Sequence, residues 1–92
     1  MKTTTLDPKI ENDVYNDVKE EAQIILLNDP VNNFDWVIEC LCKYCKHTVE
    51  QSHQIALITH NNGRCEAKRG DYMKLKPIHE ALLDAGLLAE IE

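Results

Sequence analysis

No stretch of this chain stays apolar for the ~18–20 residues that a membrane-crossing helix requires. Basic residues are also in short supply: 10 Lys and Arg stand against 16 Asp and Glu, a net charge of −6. A protein that neutralises phosphates needs the opposite sign, so DNA and RNA are poor first guesses. With 92 residues there is room for one small domain and none for a multidomain enzyme. No internal repeat or low-complexity tract is present, and no basic-then-apolar N-terminal stretch leads to a small-residue cleavage site. What remains is a soluble acidic domain, of ordinary 43% apolar content, whose expected compartment is the cytoplasm.

The four cysteines do not read as a disulfide framework. Cys40, Cys42 and Cys45 fall within six residues of a helix-like segment, where neighbouring positions rarely offer disulfide geometry. Free thiols are expected. Zinc prefers thiolate and imidazole, which the run from Cys40 to His47 supplies. On a helix, however, positions 40, 42 and 45 point to roughly 0°, 200° and 140° around the axis and do not converge on one ion. Cys40 reads better as a small buried hydrophobe, and no metal or other cofactor is expected. A thiol activated by His47, His53, His60 or His79 would be the enzyme reading. No nucleophile-turn motif accompanies it, and a domain this small rarely closes a catalytic cleft by itself. The expectation is a protein that is not an enzyme.

Residues 1–21 carry three Lys and six acidic residues with few apolar positions, and read as a flexible acidic arm; residues 22–92 read as the folded domain. The apolar run from Ala22 to Leu27, ended by Asn28-Asp29-Pro30, suits a buried strand. Asn32, with Asp35 three residues on, is placed to cap a helix on which Val37, Cys40, Leu41 and Tyr44 recur at helical spacing. Thr48 and Gln51 form a capping box for a second helix, which Asn61-Asn62-Gly63 stops. From Arg64 to Lys68 the residues alternate as in a half-buried strand, with Cys65 and Ala67 inward, and that strand should end at Gly70-Asp71. Pro77 is harmless at the first helical position but not in an interior, which starts the third helix near Lys76; Gly86 closes it. Leu87, Ala89 and Ile91 then share one face of a last strand. The order is β-α-α-β-α-β.

Taken singly, Asn28-Asp29-Pro30 is a turn and the run from Thr59 to Gly63 is a helix stop. Together they resemble the ClpS adaptors of bacterial ATP-dependent Clp proteases. The segment ILLNDP ending at Pro30, VIECLCKY at 37–44 and VEQSHQIALITHNNG at 49–63 carry the likeness, which extends over residues 22–92. It implies an α+β fold: a small two-layer α/β sandwich with a three-stranded antiparallel sheet packed against three helices. It also implies an adaptor that binds the free N-terminal residue of a substrate protein, Leu, Phe, Tyr or Trp, and delivers it to a ClpA-like or ClpC-like AAA+ unfoldase.

By the same resemblance, Asn28, Asp29 and His60 hold the substrate's α-amine. The chemistry suits it, since an ammonium has three donors and a carboxylate, an amide oxygen and a neutral imidazole nitrogen each accept one. Leu26, Asn32, Phe34, Val37, Ala56, Thr59 and Leu87 are the implied pocket for the first side chain. Several positions depart from the family pattern: Pro30 stands in place of an acidic residue, Phe34 and Ala56 in place of Met, and Thr59 in place of an apolar residue. The stretch from Arg69 to Pro77 differs most, in a region that the family uses for docking on the ATPase. In such adaptors the unfoldase engages the N-terminal arm, and 21 extended residues would reach about 70 Å. A monomer is the expectation. The competing reading is a non-catalytic interaction domain of the same architecture, like the C-terminal domain of the ribosomal stalk protein. Stalk domains are rich in Ala, Gly and Lys, whereas this chain has 3 Gly.

Overall fold

The computed structural model describes residues 20–92. Six elements follow one another: β1 (Glu21–Leu27), α1 (Phe34–Tyr44), α2 (Val49–Asn62), β2 (Arg64–Asp71), α3 (Tyr72–Asp84) and β3 (Ala89–Ile91). This is the expected β-α-α-β-α-β order. The expected arm falls outside the described residues except for Glu20 and Glu21, and β1 begins at Glu21, one residue before the expected strand.

The sheet has the order β2-β1-β3, and both pairings are antiparallel. The central place of β1 suits the apolar run from Ile24 to Leu27, because both edges of the strand are paired and Ile24, Ile25 and Leu26 are all buried. Ile24 and Leu26 are among the fully buried side chains. They join Cys40, Leu41 and Cys45 from α1 and its cap, Ala67 from β2, Leu75 and Leu82 from α3, and Leu87 and Ala89 in one core. The β1–β2 register shifts between Ile24 and Ile25: Ile24 pairs with Lys68 and Ile25 with Glu66, which leaves Ala67 as an extra residue on β2. The bulge brings the Lys68 ammonium to the Cys45 carbonyl at 3.0 Å, stitching β2 to the end of α1.

The helix boundaries differ from expectation at two places. Asn33, not Asn32, caps α1: its side-chain oxygen accepts from the Trp36 N–H at 2.8 Å. Asn32 is thereby free for another task. The start of α3 is at Tyr72 rather than near Lys76, so Pro77 lies inside the helix. Leu75, 2% exposed, anchors that first turn to the core, and the Tyr72 N–H finds the Glu20 carbonyl at 2.9 Å. A Pro ring in a helix removes one bond to the carbonyl four residues back. Here that residue is Met73, 71% exposed, so water can serve the carbonyl. The Thr48–Gln51 capping box of α2 forms as expected, and Gly63 ends the helix in the left-handed region at φ 92°, its N–H bonded to the Thr59 carbonyl.

Candidate functional site

Two backbone bonds gather the ends of distant elements. The Leu27 N–H donates to the Leu88 carbonyl and the Asn28 N–H to the Gly63 carbonyl, both at 2.9 Å. They bring together the β1–α1 loop, the C-terminal end of α2 and the α3–β3 turn, and a cavity of about 550 Å³ opens there. Its lining includes all ten residues singled out in the sequence: Asn28, Asp29 and His60, and Leu26, Asn32, Phe34, Val37, Ala56, Thr59 and Leu87. Leu27, Pro30 and Leu88 line it too, outside that set of ten. Strand alternation assigns Leu88 to the outer face, and it is indeed half exposed, but the turn folds it over the cavity.

Local chemistry sets the polar side. The Asp29 carboxylate accepts from the Val31 N–H at 2.7 Å, across Pro30, which makes an Asx turn. Pro30 holds φ near −65° and has no N–H of its own, so it stiffens that turn. Asp29 Oδ1 also accepts from the Asn32 N–H at 3.4 Å, and Oδ2 accepts from the Asn32 side-chain amide. The Val31 N–H bond, followed by the Asn32 amide, holds the Asp29 carboxyl below its ordinary pKa. Of the roughly four lone-pair sites on a carboxylate, three are occupied and one is left for a ligand.

The apolar side is built from β1, α1, α2 and the α3–β3 turn. Leu26 and Leu87 come from the core, 2% exposed each, and Ala56 is 3% exposed on α2. Thr59 gives its hydroxyl to the Ile55 carbonyl at 2.7 Å, one helical turn back, so that its γ-methyl is what remains for an apolar wall. Phe34 meets the His53 ring edge-on, with centroids 5.3 Å apart, which fixes an aromatic wall where a methionine would flex.

The remaining histidines are occupied elsewhere. His47 Nε2 meets the Ala67 carbonyl, and His79 Nε2 meets the Ala89 carbonyl at 2.8 Å. Cys40, Cys42, Cys45 and Cys65 are free thiols. Burial pushes the Cys45 thiol up to about 11 and raises Cys40 and Cys65 as well, the opposite of what a nucleophile or metal ligand needs. Among the described residues no group of three or more His, Cys, Asp or Glu side chains is placed to hold a metal ion. No helix there is long and apolar enough to cross a membrane.

Comparison with known proteins agrees with this architecture. The structure of Agrobacterium tumefaciens ClpS2 bound to L-phenylalaninamide superposes with a TM-score of 0.68 at 17% sequence identity, over 82% of this chain and 98% of that one. At that identity the likeness speaks to the fold. No curated protein sequence matches the chain. The family described as ATP-dependent Clp protease adaptor protein ClpS matches residues 17–88, nearly the whole of the described domain. The chain therefore belongs to the ClpS family of Clp protease adaptors.

Proposed function

We propose that the cavity binds the free N-terminal residue of substrate proteins, with Leu, Phe, Tyr or Trp at that position, and that the chain hands them to a Clp ATPase for degradation. The observation that carries this reading is the pairing of an ionised, largely pre-bonded carboxylate with an apolar cavity on the same loop. The ammonium would meet Asp29, the Asn28 amide oxygen and the His60 imidazole; the first side chain would enter among Leu26, Val37, Ala56 and Leu87. Burial of such a side chain contributes roughly 1.5–3 kcal/mol, so neither half suffices for tight binding. An internal residue of a substrate has no ammonium and is refused. That the ClpS2 structure holds L-phenylalaninamide supports the reading: this molecule has a free α-amine, an aromatic side chain and an amide where the next residue would begin. The sequence-diverged stretch from Arg69 to Pro77 leaves the identity of the ATPase, ClpA-like or ClpC-like, to direct pairing experiments.

A pH profile tests the site. His60 accepts a bond from the ammonium only when neutral, so protonating its imidazole removes that acceptor and sets two cations side by side. Asp29, with its pKa lowered from 3.8, stays charged throughout pH 5 to 7. Loss of affinity in that window therefore reports an imidazole and not the carboxylate. Fluorescence anisotropy with a labelled Phe-initiated peptide should show binding at least about tenfold weaker at pH 5 than at pH 7. His60→Ala should flatten the profile. A wild-type affinity constant from pH 5 to 7 removes His60 from the amine site.

A further inference from the structure

Asn32 was expected both to cap a helix and to wall the side-chain pocket, and the structure gives it a different occupation. Its side-chain nitrogen donates to Asp29 Oδ2 and, at 2.7 Å, to the Gly86 carbonyl. Both neighbours are acceptors, so the amide must present its nitrogen and not its oxygen to them. Each hydrogen of one NH2 group is thus used, one on either side. Gly86 is in the left-handed region at φ 93°, where glycine is tolerated and other residues are strained, so this turn depends on a glycine at that position. Next to it is Leu87, a buried wall of the cavity.

We propose that Asn32 is a positioning residue that latches the two halves of the recognition site, holding the Asp29 carboxylate against the turn that supplies Leu87. The proposal rests on the amine-binding reading of Asp29 and adds to it how a loop carboxylate is kept in place. Without the latch the β1–α1 loop keeps its Asx turn, because Val31 and the Asn32 backbone still donate to Asp29. What it loses is the direct bond from Asn32 to the Gly86 carbonyl, 54 residues away. A second side-chain bond joins the same regions: Trp36 Nε1 donates to the Ala85 carbonyl at 3.0 Å, without touching Asp29. Trp36→Phe therefore cuts a tie to the turn and spares the carboxylate, which makes it the control for simple anchoring.

The test uses the full chain and two readouts. The first is the affinity for a Phe-initiated peptide. The second is the Asp29 carboxyl titration followed by carbon-13 NMR without any peptide, with His60 across the cavity unchanged in every variant. Asn32→Ala should weaken peptide binding about tenfold, the scale of one hydrogen bond to a charged group. It should also move the Asp29 midpoint upward, towards the ordinary carboxylate range. Asn32→Ser, with one donor, should fall between; it also serves if the alanine variant fails to fold by circular dichroism. Trp36→Phe should leave the Asp29 midpoint where it is. An Asp29 midpoint that is the same in wild type, Asn32→Ala and Asn32→Ser overturns the latch. If wild type binds no free-amine peptide, the functional reading fails instead, and the peptide-free titration still decides the latch.

Discussion

Acetylating the N-terminus of a Phe-initiated peptide should weaken its binding by at least about 100-fold. The ammonium brings three donors and a positive charge, whereas the acetylated nitrogen keeps one neutral N–H. Two charge-assisted bonds are lost, each of about 1.5–3 kcal/mol, and every 1.4 kcal/mol is tenfold in affinity. The acetyl group must also fit beside Asp29, whose carboxylate then faces an amide with no charge to offset its partial desolvation. Isothermal titration of the two peptides, otherwise identical, makes the comparison. Equal affinities would show that the cavity reads the side chain alone, and the interaction-domain reading without terminal recognition would take its place.

Asp29→Asn should cost about 30- to 100-fold in the affinity of the free-amine peptide while the fold stays intact. The substitution keeps an oxygen for the Val31 N–H, so the Asx turn across Pro30 survives. It changes the other side of the group, where an NH2 would stand in place of Oδ2. That NH2 would confront the Asn32 amide, also a donor, and the incoming ammonium, a donor again. Charge and acceptor are removed together. Thermal denaturation should show little change, since the carboxylate lies on a half-exposed loop, whereas peptide titration should show the full loss. Unaltered binding would place the amine elsewhere.

The fold was legible where local chemistry decides it. The apolar run of β1 with its Asn-Asp-Pro stop, the Thr48–Gln51 box and the Gly63 stop need no distant partner, and each element lies close to where those signals put it. Pro77 misled because its cost depends on which side of α3 loses the bond. A Leu75 buried against the core and a Met73 carbonyl near water allow a start five residues before the proline, and sequence spacing carries neither fact. At the candidate site, residue types and their likeness to a family were enough to name ten residues that line one cavity. They were not enough to separate residues that form its walls from one that supports it. Asn32 acts on Gly86, 54 positions later, and only the folded chain brings that carbonyl within reach. Leu88 was missed for a related reason: alternation in β3 turns it outward, and the bond from the Leu27 N–H to its own carbonyl sets it beside the β1–α1 loop.

The central claim is that a free amine and an apolar side chain on the same atom are bound at this cavity. Titrating the nitrogen-15-labelled full chain with phenylalaninamide and following amide shifts by NMR tests it most directly. The account predicts saturable shifts concentrated at Asn28, Asp29, Thr59, His60 and Leu87, with N-acetylphenylalaninamide producing none at the same concentrations. Shifts centred on another face of the domain, or equal shifts from the acetylated molecule, would contradict it.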